Sequence, residues 1–375
     1  MKKRYRVAAA VVAAAALTVI SGCTGCVSCA GCGGATTNLV PLNSNWYANT
    51  NYKKIQPTFT EGNTPFAAEE AVYTVKHDKS TARNTTYSVD YAGGQYKTLF
   101  KAVDFDKSAY AHADFAEGYP DKVTAYYYRT ELTFKTVTFT VGEQTKELTG
   151  DEIITECYFL SVEDFLRPLY SHESIKSSTP AEMQTGTVDD AYVAVNHDIK
   201  TYYSYDGNTA KTVTVDGGNE SVKTVDAINS AANSCFDVAS MDITVRANKI
   251  SPSLNQQISV YSPAGGVQNY TLQGGTATFS DDENARLKSV LDRNGLYEEE
   301  RDEDGNVKPL GATSVSVTYN GNLSGVSQTY VFASIKNASN NKSRATLLTL
   351  SAPLNYSLGT LNYTLEEIKS TLYQG

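Results

Sequence analysis

Short segments in which apolar and polar residues alternate follow one another along most of the chain. A two-residue period is typical of half-buried β-strands, and turns rich in Gly, Asn and Ser separate the segments. The pattern therefore predicts an all-β fold of mainly antiparallel, sandwich-like sheets with a few peripheral helices. The predicted strands are Thr85–Tyr91, Lys122–Tyr128, Glu131–Val141, Glu152–Leu160, Ala191–Asn196, Lys211–Val215, Met241–Arg246, Gln257–Tyr261, Ser314–Tyr319, Thr329–Ile335 and Ala345–Leu350.

Three further elements have local signatures. The segment Asn269–Phe279 reads as a hairpin that turns at its central Gln-Gly-Gly. Ser280 and Glu283 form the capping-box pattern that begins a helix, and apolar residues then line one face of it. Thr364 and Glu367 repeat the capping-box pattern, so we also predict a helix at the C-terminus.

A weak internal repeat suggests how the chain is divided. Glu70–Asp78 resembles Asp190–Asp198, and two shorter matches follow each segment in the same order. Together with the length of 375 residues, the repeat predicts two related β-rich domains in tandem, over residues 46–175 and 188–375. The alternative is chance similarity between two strand-rich stretches.

The N-terminus has the layout of an export signal. An uncharged, mostly Ala and Val stretch, Val7–Ile20, follows four basic residues and is too short to span a bilayer comfortably. It leads into Ile20-Ser21-Gly22-Cys23. This ending resembles the lipobox of bacterial lipoproteins, in which an aliphatic residue and two small residues precede the cysteine.

The resemblance implies a lipid anchor. In that family the cysteine thiol receives diacylglycerol and a peptidase cuts before it, so residues 1–22 would be the signal peptide and Cys23 the lipid attachment site. Residues 23–45 are small and polar and are predicted to be a flexible tether. The expected location is the extracytoplasmic face of a bacterial membrane, held there by lipid. An ordinary cleaved signal or an uncleaved anchor helix is the alternative.

The charge of the chain excludes some partners. The chain carries 32 basic and 41 acidic residues; without the four basic residues of the leader, 28 remain and the net charge is −13. An acidic protein is repelled by nucleic-acid phosphates and by anionic lipid headgroups. We therefore predict no nucleic-acid partner and membrane contact through the N-terminal lipid only.

The cysteines fall into two groups. Four of them recur at every third residue, which raises the alternative of a metal or iron–sulfur site. A lipidated first cysteine could not be a ligand, and the spacing departs from the ferredoxin pattern, so no cofactor is predicted. Cys157 and Cys235 lie in the folded part and could pair after export. The four closely spaced cysteines are Cys23, Cys26, Cys29 and Cys32.

Motifs of known catalytic chemistry are missing from the sequence. There is no G-x-S-x-G, H-E-x-x-H or P-loop pattern. His77 and His197 each precede an Asp, but neighbouring residues of a strand point to opposite faces and rarely act together. Glu298–Asn306 is rich in acids, but read as a calcium loop from Glu300 its twelfth position is Gly311, where an acid is needed, so we interpret it as a charged turn. No catalytic or metal residue is predicted.

Tyrosine clusters are the remaining candidates for a binding site. Exposed tyrosines can stack on sugars or anchor a partner protein, whereas alternate tyrosines of a strand can also be core residues. The sequence favours a non-enzymatic role, in binding a polysaccharide, cell-wall component or surface protein, or in supporting a surface structure. The alternative is a surface hydrolase acting on glycans or peptides. The candidate ligand-binding residues are Tyr126, Tyr128, Tyr203 and Tyr205.

Overall fold

The predicted all-β class is confirmed: the chain forms one large, mainly antiparallel sheet with few short helices. The structure, a computed structural model, describes residues 68–79, 87–162, 165–181, 186–229, 235–248, 250–297, 299–320, 327–336 and 343–370. The predicted signal peptide, Cys23 and the tether lie outside the described residues.

Sixteen strands and three α-helices make up the described part. The strands are β1 (Ala68–Lys79), β2 (Tyr87–Ala92), β3 (Gly94–Phe105), β4 (Val123–Val141), β5 (Gln144–Val162), β6 (Phe165–Pro180), β7 (Tyr192–Tyr203), β8 (Ala210–Asp216), β9 (Asn219–Val225), β10 (Cys235–Asp237), β11 (Asn255–Ser262), β12 (Gly266–Ala277), β13 (Ala312–Tyr319), β14 (Ser327–Lys336), β15 (Ser343–Pro353) and β16 (Gly359–Ser370). The helices are α1 (Lys107–Tyr110), α2 (Met241–Ala247) and α3 (Asp281–Asp292). None of these helices has the length and apolar character needed to cross a bilayer.

The strand order follows the chain closely. It runs β10-β11-β12-β13-β14-β15-β16-β1-β3-β4-β5-β6-β7-β8-β9, and β2 pairs with the second half of β4. Every pair is antiparallel except β10 with β11. Because β1 pairs with β16, the first and last described strands are neighbours in the middle of the sheet.

The sheet joins the two predicted domains. Strands β6 and β7, which flank the predicted boundary, pair with each other from Tyr170 opposite Tyr202 to Pro180 opposite Tyr192. The largest cluster of buried side chains also draws on both predicted segments, for example Tyr96 and Tyr363. The repeat does not map onto equivalent elements throughout, because Tyr87–Asp90 lies in β2 whereas Tyr203–Asp206 leaves β7 for a turn.

Helix α2 corrects one strand prediction. The alternation in Met241–Arg246 predicts a strand, but these residues are helical and every residue of α2 is buried. Two charged side chains, Asp242 and Arg246, find partners in the interior instead of solvent. The strand prediction assumed that the polar residues of this segment face solvent. A helix that is buried on all sides has no such polar face.

The predicted hairpin at Asn269–Phe279 is wrong, because β12 runs through it without a turn. Gly274 serves a close approach of two backbones: its amide donates to Leu254 O at 2.7 Å, and an added Cβ would collide with Ser251 O. A glycine inside a strand marks such an approach as readily as it marks a turn.

Of the two predicted helices, one is confirmed and one is wrong. Helix α3 begins with the predicted box: the Ser280 amide donates to Glu283 Oε2 at 3.1 Å, and Ser280 Oγ accepts from the Glu283 amide. The C-terminal segment is strand β16, and alternate residues such as Tyr363 and Leu365 are buried. Pairing with β1 and β15 outweighs the local capping pattern there.

Candidate functional site

Three of the four predicted binding tyrosines lie in the core. Tyr126 packs flat on Phe100, with ring centroids 5.6 Å apart. The Tyr128 hydroxyl donates to Asp242 Oδ2 at 2.9 Å, and the Tyr203 hydroxyl donates to Asp237. These side chains are buried, so the prediction that they form an exposed platform is wrong. Alternate residues of β4 face the core, and Tyr126 and Tyr128 occupy those positions.

The fourth candidate, Tyr205, is half-buried just beyond the end of β7. The Arg167 guanidinium lies 5.8 Å from the centroid of its ring, and the Tyr119 ring lies 5.2 Å away on centroids. Tyr205 therefore belongs to the border of a second aromatic cluster, which covers the opposite face of the sheet.

A row of tyrosines crosses four adjacent strands on that opposite face. The register pairs Tyr127 of β4 with Tyr158 of β5, Tyr158 with Tyr170 of β6, and Tyr170 with Tyr202 of β7. A lysine stands at each end, since Lys101 of β3 is opposite Tyr127 and Lys211 of β8 is opposite Tyr202. We call Tyr127, Tyr158, Tyr170 and Tyr202 the tyrosine row.

Neighbouring rings of the tyrosine row are in contact. Their centroids are 4.9 Å apart between Tyr127 and Tyr158, 6.0 Å between Tyr158 and Tyr170, and 5.3 Å between Tyr170 and Tyr202. Lys101 Nζ lies 5.2 Å from the centroid of the Tyr127 ring. Aromatic contacts across antiparallel strands stabilise a sheet, so the row is held in a fixed arrangement.

The covering segment, residues 106–122 between β3 and β4, packs on the tyrosine row. Tyr110 of α1 lies against Tyr158, with centroids 4.6 Å apart, and His112 lies 5.4 Å from the Tyr202 ring. Tyr119 attaches the segment to β7, because its buried hydroxyl donates to Tyr203 O at 2.8 Å. Rings at the rim of this arrangement, those of Tyr110, His112 and Tyr202, are half-buried and reach solvent.

A row of charged residues lies on the same face, two residues along each of the same four strands. The register aligns Arg129 of β4, Glu156 of β5, His172 of β6 and Lys200 of β7. We call these four residues the charged row. Asp198 contacts this row, because Asp198 Oδ2 is 2.8 Å from His172 Nε2.

The two rows are linked by hydrogen bonds and charges. The Tyr127 hydroxyl donates to Glu156 Oε1 at 2.7 Å, and His172 Nδ1 lies 3.9 Å from Glu156 Oε2. Arg129 Nε is 3.9 Å from Glu156 Oε1. All of these charged side chains remain partly exposed. The face therefore offers aromatic rings beside hydrogen-bond donors and acceptors.

The local charges shift several pKa values. The neighbouring His172 lowers the pKa of Glu156, and Tyr127 and Arg129 act in the same direction. Glu156, and then Asp198, raise the pKa of His172. Burial raises the pKa of Tyr127, Tyr158 and Tyr170, so these three hydroxyls are un-ionised at neutral pH.

The adjacent His-Asp pairs of the sequence do not cooperate. His77 Nε2 lies 3.0 Å from Leu358 O, while Asp78 accepts from the Asn362 amide at 2.7 Å. His197 Nε2 lies 3.2 Å from Asp216, a residue of the neighbouring strand β8. Alternation along a strand separates each His from the Asp that follows it, as expected.

Other sequence candidates supply no site among the described residues. Cys157 and Cys235 are both buried and unbridged. Asp302 begins a turn, in which its carboxylate accepts from the amides of Asp304 and Asn306 at 3.0 and 2.8 Å. Within the described ranges, no group of three or more His, Cys, Asp or Glu side chains is arranged to hold a metal ion.

The register of four strands is the information that the sequence lacked. Tyr127 is visible between Tyr126 and Tyr128, and alternation alone places it on the other face. Its alignment with Tyr158, Tyr170 and Tyr202 depends on strand pairings, which the residue pattern did not specify.

Comparisons with known proteins assign no activity to this chain. No protein-family model matches it, and no curated protein matches it. A similar solved structure is the crystal structure of a beta-barrel-like protein of domain of unknown function DUF1849 from Brucella abortus. The TM-score is 0.40 at 9% sequence identity, and the match covers 81% of this chain and 98% of that chain.

Proposed function

We propose that this chain is a lipid-anchored bacterial surface protein that binds a polysaccharide or cell-wall glycan without cleaving it. The observation that carries the binding role is the half-buried aromatic rim of Tyr110, His112 and Tyr202 with the partly exposed charged row beside it. Aromatic faces pack on the apolar faces of sugar rings, and carboxylate, guanidinium and imidazole groups hydrogen-bond to hydroxyls.

The dimensions of the face favour a polymer over a single sugar. Four adjacent strands, spaced about 4.8 Å apart, place Arg129 and Lys200, the outer residues of the partly exposed charged row, roughly 14 Å from each other. Tyr127, Tyr158 and Tyr170 are buried, so the ligand contacts the half-buried rim at Tyr110, His112 and Tyr202 and the partly exposed charged row. A preformed surface loses little conformational entropy on binding.

The experiment uses the exported chain from Ala35 onward, purified cell walls and a panel of polysaccharides. Binding and the release of sugars or peptides are measured in the same mixtures. Saturable binding without release supports the proposal. Release of products contradicts it and favours the alternative of a surface hydrolase, in which Glu156 and Asp198 beside His172 are the first acids to replace.

Variants connect any binding to the face. Tyr110→Ser with Tyr202→Ser removes two rim rings, and we expect at least about tenfold weaker binding, which corresponds to about 1.4 kcal/mol. Tyr319→Ser is the matched control, because Tyr319 is a half-buried tyrosine on β13, outside both rows. Equal affinities of the double variant and the control would show that the ligand binds elsewhere.

The anchor is tested separately. Cys23→Ala removes the thiol that the lipobox-like sequence presents for acylation. We expect this variant to incorporate no labelled fatty acid and to keep its full precursor mass. A Cys26→Ala variant is the control, because Cys26 has a cysteine instead of an aliphatic residue three positions before it. Continued labelling of Cys23→Ala would refute the anchor and leave the binding proposal intact.

A further inference from the structure

The sheet ends on one side in an exposed edge strand. Among the described residues, β9 pairs with β8 alone, and its other edge has no neighbour. Residues 219–224 are exposed, and Val222 at the centre keeps 53% of its surface exposed. Unpaired strand edges present free N–H and C=O groups to any strand that can align with them.

The edge is held in shape at both ends. A two-residue turn, Gly217-Gly218, joins β8 to β9, and both glycines have positive φ, of 54° and 86°. Just beyond the strand, Ile228 is buried and its amide donates to Asn208 O at 2.9 Å. The edge therefore needs no ordering before a partner strand can pair with it.

The turn determines which backbone groups point outward. In a hairpin with a two-residue turn, the flanking residues, here Asp216 and Asn219, form a hydrogen-bonded pair. Hydrogen-bonded pairs then recur at every second residue, so Ser221 and Lys223 direct their backbone groups toward β8. Glu220, Val222 and Thr224 direct theirs away from the sheet.

We propose that β9 pairs with β9 of a second copy of this chain, antiparallel and centred on Val222. In this register Val222 faces its own counterpart, and Glu220 faces Thr224 of the other copy. All outward backbone groups of these three residues are satisfied by one two-fold axis, which gives the closed, self-complementary interface typical of dimers. The side chains are compatible too, because Lys223 faces Ser221 and no like charges meet.

Shifted registers are poorer. A pairing centred on Glu220 sets two carboxylates opposite each other, and one centred on Thr224 places Val222 opposite Asp226. The opposite end of the sheet, β10, has three residues, all of them buried, and is not available for pairing. Among pairings centred on an outward-facing residue, the edge of β9 thus matches a second β9 best at Val222.

Cross-linking in native membranes tests the pairing and its register. The full chain carries Val222→Cys in a background where Cys26, Cys29 and Cys32 are Ser, and a short thiol cross-linker is added. Paired residues have Cα atoms about 5.5 Å apart, so we expect a product of twice the chain mass. Val267→Cys on β12 is the control, because Val267 is 43% exposed away from the edge. Equal cross-linking of Val267→Cys would overturn the proposal.

Two single-site variants distinguish the register. Glu220→Cys alone should cross-link poorly with itself, because the two Glu220 positions lie about 14 Å apart along the pair. Glu220→Cys co-expressed with Thr224→Cys should cross-link efficiently. A cross-link of Val222→Cys to a protein of another mass, or within its own chain, would overturn the proposal in favour of a different occupant of the edge.

A proline variant tests the outward amide. Val222→Pro removes an N–H that points away from β8, so the sheet stays folded while pairing is lost. We expect the detergent-solubilised full chain to dimerise at least about tenfold more weakly in sedimentation. Lys223→Pro is the contrast, since it removes an amide directed at β8 and should unfold the edge. A Val222→Pro chain with unchanged circular dichroism and unchanged dimerisation would refute the proposal.

Discussion

Arg246 of α2 forms a two-point ion pair with Glu69 of β1, 177 residues earlier in the chain, and Arg246 Nη2 lies 2.9 Å from Glu69 Oε2. Both residues are nearly excluded from solvent, at 4% and 6% exposed. The pair fastens the buried helix to a strand in the middle of the sheet, and it joins the two halves of the chain that the sequence divides into domains.

Replacing one partner of this ion pair should lower the free energy of unfolding more than replacing both. Arg246→Met leaves the Glu69 carboxylate buried without its cation, so we expect a loss of about 3–5 kcal/mol in the free energy of unfolding. The double variant with Glu69→Met should recover much of that loss. Urea denaturation of the single and double variants measures both values, and strictly additive losses would show that the two groups do not interact.

Glu173 of β6 should make stability fall as the pH rises. Burial, and then the charge of Asp237, raise the pKa of Glu173 to about 7, and its Oε1 has no hydrogen-bond partner among the described residues. The unfolded chain releases this proton near its ordinary value of 4.5. Stability is therefore lost between these two values as the folded state retains the proton that the unfolded state gives up.

Replacing Glu173 by Gln should remove that pH dependence. We expect Glu173→Gln to be more stable than the natural chain at about pH 8, by up to about 3 kcal/mol, and little changed near pH 4. Glu152→Gln is the control, because Glu152 is an exposed carboxylate on the adjacent strand. Urea unfolding at both pH values checks this, and an equal effect at both would contradict the assignment.

Two histidines should titrate on opposite sides of the ordinary value of 6.5. Glu156 and Asp198 raise the pKa of His172, whereas burial lowers the pKa of His77. NMR titration of the imidazole protons measures both pKa values in one experiment. Two pKa values on the same side of 6.5, or a pKa of His77 above that of His172, would contradict the described environments.

The raised pKa of His172 has a defined effect on stability. Its protonated form is favoured in the folded state, so the contribution is complete below pH 6.5 and is lost as the pH rises through the higher folded value. We expect His172→Gln to destabilise the chain by about 1 kcal/mol near pH 5.5 and by less near pH 9, where the imidazole has lost its proton. The effect is small because the charges are partly exposed. Thermal unfolding at the two pH values checks the sign.

The capping box of α3 should contribute measurably to the free energy of unfolding. Ser280→Ala removes the side-chain oxygen that accepts from the Glu283 amide, and we expect a loss of about 1 kcal/mol. Ser289→Ala is the control within the same helix, because Ser289 is exposed and lies away from the cap. Similar losses for the two variants in urea unfolding would mean that the cap contributes nothing specific.

Features governed by neighbouring residues were predictable from the sequence. The all-β class, most strand positions and the start of α3 at Ser280 depend on two-residue alternation and on capping within one turn. The same patterns failed at Met241–Arg246 and at Thr364–Glu367, where distant strands decide the conformation. Local propensity is weak compared with burial and strand pairing.

The sequence by itself determined that the chain forms strands and that Tyr127 points away from Tyr126 and Tyr128, because side chains alternate along any strand. Only the tertiary structure decided that Tyr127 lies beside Tyr158, and that Arg246 reaches Glu69. Such contacts depend on the register and order of strands far apart in the chain, and many registers satisfy the same alternation until the whole sheet packs on its core.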